Sequence, residues 1–222
     1  GRLSNSILPH VRTDQTLYAQ AATTLKNLYA ARQWRPGRNL YARTSAGYLE
    51  SMYAGVAGEL LWKPVDSRLA AGVEVNYVRQ RAFDQGFEFR DYEIATGHAS
   101  LYYDFGNGYE AQIDAGRYLA GDWGATFALD RTFKNGWSVG AFATLTDVPF
   151  DEFGEGSFDK GIRIEIPIGW VNGQATRETY TNVIRPVTRD GGARVNINDR
   201  LYETLRDTHQ PALADTWGRF WR

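Results

Sequence analysis

The chain has no cysteine, which excludes structural disulfides and thiolate metal sites. Its three histidines, His10, His98 and His209, lie far apart and share no metal-ligand spacing. Charge of one sign is missing too: the net charge is -1, so nothing resembles the electrostatic footprint of a nucleic-acid binder. No apolar run approaches the ~20 residues of a transmembrane helix. No signal peptide is visible at Gly1-Arg2-Leu3, as suits a processed chain, a fragment or a cytoplasmic protein. Catalytic signatures are absent as well. There is no GxSxG elbow and no cysteine nucleophile. The glycines of "GNGYEAQIDAG" (106–116) precede no helix, so they cradle no phosphate. The acidic run 150–161, with Asp151, Glu152, Glu155 and Asp159, lacks the spacing of an EF-hand and reads as a solvated loop or one folding back into a barrel mouth. No enzyme activity, metal or cofactor is therefore expected.

What the sequence does have is glycine, 23 residues of it, and a 14% aromatic content, a profile that suits an all-β protein with many tight turns. Period-two alternation recurs along the chain. In 68–81, Leu69, Ala71, Val73, Val75 and Tyr77 oppose Arg68, Ala70, Gly72, Glu74, Asn76, Val78 and Gln80. Similar patterns cover 52–62, 98–105, 109–116, 123–130, 137–146 and 162–168. Further strands are expected near 24–33, 39–49, 176–187 and 193–198, giving about eleven in an antiparallel meander. Asn107-Gly108 and Asn135-Gly136 are two-residue hairpin signals; Arg35-Pro36-Gly37 and Lys63-Pro64-Val65-Asp66 are turns. Two connections are long, 83–94 and 148–160. "DRLYETLRD" (199–207) reads as a short helix capped by Asp199. The chain thus divides into a connecting segment 1–22, a β-barrel segment 23–198 and a helical tail 199–222.

Alternation alone does not say whether the apolar face meets a protein core or lipid. A soluble sandwich or lipocalin-like barrel is one solution. Three features favour lipid. The strands are about ten residues long, enough to cross a bilayer when tilted. Aromatics gather at strand ends (Trp62, Tyr77, Tyr109, Trp123, Trp137, Trp170), as in an interface girdle. The polar face mixes small and ionisable residues, Gly72 with Glu74 and Asp114 with Gly116, which a wet lumen tolerates. Loops near 36, 65, 107, 135 and 172 share one side and are mostly tight, while both long loops fall on the other.

Particular words carry a resemblance: "LYARTSAGYLESMYAGVAGELLWKP" (40–64), "GVEVNYVRQRAFDQGF" (72–87), "YEIATGHASLYYD" (92–104), "GRYLAGDWGAT" (116–126), "GAFATLTDV" (140–148), "EFGEGSFDKGI" (152–162) and "RPVTRDGGARVNINDRLYE" (185–203). Over about residues 8–205 the chain resembles the C-terminal part of the YjbH-like family of outer-membrane proteins. The resemblance implies a β-barrel in the bacterial outer membrane with a role in exopolysaccharide or capsule production, through export. Family members are longer and begin with a signal or lipoprotein segment. An odd strand count leaves an open edge, so an upstream polypeptide, or an N-terminal half, is expected to complete the barrel in lipid.

Parity then assigns faces. Tyr41, Arg43, Tyr53, Glu59, Glu74, Tyr102, Asp114, Tyr118, Arg163 and Glu165 are expected to line the lumen and to meet an exopolysaccharide. Glu74, Asp114 and Glu165 suit a hydrated wall or inward salt bridges with Arg43, Arg68 and Arg163 better than a glycosidase pair. Leu69, Val73, Val75, Ile113, Val139, Ile164 and Ile166 are expected to face outer-membrane lipid. Phe142 shares the lumen parity and could plug the barrel against the tail. A structural barrel that scaffolds an envelope assembly without transport is the alternative function.

Overall fold

The computed structural model describes residues 8–21, 24–149, 158–169, 179–208, 210 and 213–214. Ten strands form one antiparallel sheet in strict chain order. They are β1 Leu28–Gly37, β2 Leu40–Tyr48, β3 Tyr53–Trp62, β4 Leu69–Arg81, β5 Phe89–Gly106, β6 Tyr109–Arg117, β7 Trp123–Thr132, β8 Ser138–Thr146, β9 Asp159–Pro167 and β10 Thr179–Ile184. The helices that lie wholly within the described residues are short: α1 Gln15–Tyr18 and α2 Leu201–Leu205, the latter continued by a 3-10 turn Arg206–Thr208. No helix among the described residues is long and apolar enough to cross a membrane. The expected all-β meander with a short C-terminal helix is therefore the observed fold. The sheet is not closed: β1 and β10 are its two edges.

Local chemistry explains most boundaries and several departures. Asn107 and Gly108 take φ of 55° and 80° and make the two-residue turn between β5 and β6. Asn135-Gly136 instead lies within a wider connection, where Phe133 N–H donates to Trp137 O. Arg35-Pro36-Gly37 is strand, not turn; the reversal falls on Arg38-Asn39, with Asn39 at φ 61°. Proline is tolerated there because it falls within the register shift between Trp34 and Gly37, where the ladder to β2 is interrupted. β5 begins at Phe89, inside the expected loop 83–94, and pairs with β4 through Arg79↔Glu93 and Arg81↔Phe89. In this stretch the polarity inverts: Asp91 and Glu93 point outward while Ile94 is buried, so hydropathy parity does not register it as a continuation. Gly47 and Gly55 face each other across β2 and β3 at φ 134° and 156°. A Cβ at Gly55 would collide with Tyr77 O, so these positions let the strands bend tightly.

The expected strand at 193–198 is not in the sheet. Ala193–Asn198 is extended but outside any ladder, and its residues Ala193, Val195 and Ile197 are buried. It crosses the interior as part of a strap, 189–206, that enters at the long-loop end and leaves at the tight-turn end. The eleventh crossing therefore exists inside the wall, and the wall has an even number of strands. The physical reason is its composition: Arg194 and Arg200 need carboxylates, and those are on the inner face. Most of the connection 148–160, residues 176–178 of the strand expected near 176–187, Trp170, the turn near 172, His209 and most of the ends of the chain lie outside the described residues.

The two faces of the sheet are opposite in character. The outer face exposes large apolar side chains: Val56, Val73, Val75, Leu101, Ile113, Phe127, Leu129, Val139, Leu145 and Ile162 are all open, Val75 at 63%. Leu69, Ile164 and Ile166 share that face and are half-buried. The inner face is crossed by polar rows fixed by register, such as Arg43, Glu59, Glu74 and His98 on β2 to β5. A second row runs Ser100, Asp114, Thr126, Thr144 and Asp159 on β5 to β9. The apolar core is confined to the two ends of the interior. One cluster, at the long-loop end, contains Val11, Tyr18, Met52, Tyr53, Val78, Leu119 and Val195. The other, at the tight-turn end, contains Leu61, Ala70, Tyr102, Leu201 and Tyr202.

Candidate functional site: the polar interior and its strap

Glu74 sits at the centre of the inner face, on β4. Its carboxylate accepts Arg200 Nε at 2.7 Å, Arg194 Nη2 at 3.4 Å and Asn76 Nδ2 at 3.1 Å. Arg194 also reaches Asp114 at 3.0 Å, and Asp114 accepts Ser100 Oγ and Gln112 Nε2. Lower down, Arg206 approaches Glu165 at 3.5 Å and Glu110 at 3.7 Å. Tyr202 O–H donates to Glu110 at 2.6 Å while its ring stacks on Tyr102, centroids 3.6 Å apart. Three strap arginines, six residues apart, thus meet carboxylates of β4, β6 and β9. Each pair is largely removed from water, where charge-assisted bonds are strong and an unpaired partner is costly.

Two further contacts seat the strap through its backbone. Glu59 accepts Leu201 N–H with both oxygens, at 3.0 and 3.1 Å. The cap of α2 is therefore supplied from β3; Asp199 does not cap it but takes φ 56° to turn the chain into the helix. Arg43 donates to Asn198 O at 2.9 Å. At the long-loop end Asp190 accepts Arg12 N, Thr13 N and Thr13 O–H, tying the strap to the segment before α1. Arg12 also bridges Glu50 and Arg194 O. Gly192 N–H donates to Asp122 at 2.8 Å. Burial pushes the Asp122 carboxyl above the usual range, with the Gly192 bond pulling it back only in part. The Tyr118 phenol, fully buried beside Thr126, is pushed up to about 12 by burial.

The sequence-predicted site residues are brought to one face, but most are covered. Tyr53 and Tyr118 are fully buried, and Tyr102 lies beneath Tyr202. Tyr41 packs against the lower cluster. Arg43, Glu59, Glu74 and Asp114 are occupied by the strap, while Arg163 pairs with Asp130 at 2.9 Å. Arg68 forms no inward salt bridge; it lies at the tight-turn rim and donates to Phe105 O. It sits beyond the last full ladder rung, where the parity of β4 no longer points its side chain inward. His98 packs edge-on to Tyr118, and the described residues contain no cluster able to hold a metal ion. Sequence reasoning missed Arg194, Arg200, Arg206, Tyr202 and Asp190. The regular arginine spacing was the available signal; it points nowhere until the acidic rows opposite are known.

An antiparallel meander with an apolar outer surface and a charged interior crossed by a strap defines an inside-out β-sheet protein. A family model described as "YjbH: Exopolysaccharide biosynthesis protein YbjH" matches residues 2–207, and the chain belongs to this family. A curated relative from Escherichia coli (strain K12), named "Uncharacterized lipoprotein YjbH", is 36% identical over 208 residues. That alignment covers 91% of this chain but only 30% of the relative, so the chain spans under a third of the relative's length. No solved structure matches.

Proposed function

We propose that this chain is the C-terminal sheet of an outer-membrane β-barrel protein that assists exopolysaccharide or capsule export. The observation that carries the reading is the inverted amphipathicity: Val73 and Val75 are 50% and 63% exposed on one face while Glu74 between them is 5% exposed on the other. A soluble protein gains nothing from an apolar face this broad, whereas lipid does. The family description supplies the polymer class. The relative's designation as a lipoprotein supports an envelope location. The tight turns face the periplasm, and the strap leaves on that side. An upstream stretch of the same polypeptide pairs with β1 and β10, because unpaired edges in hydrocarbon cost several kcal/mol per group.

The test is Val75→Arg in the full-length protein. A lipid-facing position near mid-bilayer loses about 2–4 kcal/mol and shows reduced outer-membrane, heat-modifiable protein. Retention of the wild-type protein after an alkaline carbonate wash is expected alongside. Release into the soluble fraction, or an inert Val75→Arg, refutes the reading. A second reading, a scaffold that conducts nothing, is favoured by the strap itself, which fills the β2–β5 half of the interior. Open-channel conductance separates the two.

A further inference from the structure

The strap is one-sided. Inner-face residues of β2 to β5 are buried beneath it: Arg43 at 2%, Glu74 at 5%, Asn76 at 5% and His98 at 4%. On the β7 to β10 side the cover is partial: Thr144 and Asp159 are buried at 2% each and Asp130 at 9%, but other inner-face residues there are not. Phe142, Ala128 and Arg163 are half-buried and Thr181 is exposed. Between that wall and the strap lies a cavity of about 970 Å³, at the upper end of the usual range for ligand pockets.

Its chemistry is specific. Thr126 and Thr181 supply hydroxyl groups from the wall, Gln112 an amide from the neighbouring β6, and Asn196 and Asn198 supply more from the strap. Ala128 and Phe142 are register partners and make an apolar patch. Two glycines create the relief. A Cβ at Gly140 would collide with Asp130, which there reaches Arg163; one at Gly161 would press on the Phe142 ring. Each arginine lining the cavity has a carboxylate partner: Arg163 with Asp130, Arg185 with Asp159, Arg206 with Glu165, Arg200 with Glu74, Arg194 with Asp114, Arg12 with Glu50. Among the described residues lining it, no cation is left to compensate a carboxylate or phosphate brought in by a ligand, and burying such a charge unpaired is costly.

We infer that this wall is a binding site for a short run of neutral sugar units. Hydroxyl pairs of a sugar bond to the rims of the Asp130–Arg163 pair and to the threonines, and the CH face of a pyranose packs on Phe142. The inference rests on the export reading and moves the polymer contact from the covered tyrosines of β2 to β6 to the open wall of β7 to β10.

The test is calorimetric titration of the full-length protein in detergent with maltohexaose, cellohexaose and, as the anionic probe, hexagalacturonate. At least one neutral hexasaccharide binds saturably, and hexagalacturonate does not. Ala128→Trp, which fills open space, abolishes binding; Phe142→Ala weakens it by about tenfold. Unchanged heat-modifiable mobility shows both variants fold. The site falls if neither neutral hexasaccharide binds, if binding survives Ala128→Trp, or if hexagalacturonate is preferred. Cells separate this failure from that of the export reading. If deleting the protein leaves secreted polymer unchanged, the export reading falls. If deletion stops secretion but Ala128→Trp secretes normally, only the site falls.

Discussion

Glu74→Ala tests whether the strap is held by its charges. Glu74 receives two strap arginines, and the side chains involved are 6% exposed for Glu74, 20% for Arg200 and 18% for Arg194. Removing one member of a buried ion pair costs about 3–5 kcal/mol, mostly because the other is left uncompensated. Arg194 keeps Asp114 at 3.0 Å and Arg200 keeps a bond to Val195 O at 2.9 Å, so the lower end, about 3 kcal/mol, applies. That is roughly a hundredfold more frequent strap opening. The assay is amide hydrogen exchange in detergent. Leu119 N–H is the reporter, since it donates to Ala193 O at 2.8 Å, and Gly192 N–H, bonded to Asp122, is a second. Both lose protection by about two orders of magnitude while amides in the β7–β8 ladder do not. The double variant Glu74→Leu/Arg200→Met, apolar at both positions, restores much of the protection, as replaced buried pairs commonly do. Unchanged Leu119 protection in Glu74→Ala refutes electrostatic seating; equal loss throughout the sheet refutes the strap as a separately opening unit.

Gly55→Ala forces a Cβ against the Tyr77 carbonyl at a positive φ, and lowers sheet stability by about 1–3 kcal/mol, read as a lower temperature of heat modification. Wild-type mobility in that variant argues against a tight bend at β3. Asp122 gives a pH dependence. Its folded-state pKa is raised by burial, so the folded state holds the proton more tightly than the unfolded chain. Its contribution is therefore greatest at low pH and declines as pH rises through the window above the usual aspartate value. Asp122→Asn keeps an acceptor for Gly192 N–H and removes that decline. The two proteins have converging melting temperatures near pH 4, and the variant melts higher at pH 7; the reverse order disproves the assignment.

The sequence by itself determined most of the strands and the faces of their residues. Alternation such as Val73-Glu74-Val75 can bury only one side of a strand, and Asn107-Gly108 permits only a tight reversal, so these features are local and readable. It also determined the family resemblance, since long words in order survive without any contact being known. Local rules mislead where they collide: Pro36 belongs to a strand because it sits in a register shift, and Phe89–Ile94 extends β5 with its polarity reversed. Tertiary structure alone decided the strap. Ala193–Asn198 alternates as well as any wall strand, and nothing within it says that its one arginine, Arg194, will find Glu74 and Asp114, which lie far away in the sequence. Pairing between charges brought together only when the sheet curves is invisible to a window of neighbours. The same holds for the open half of the interior, which exists because the strap lies against β2 to β5 and leaves β7 to β10 facing space.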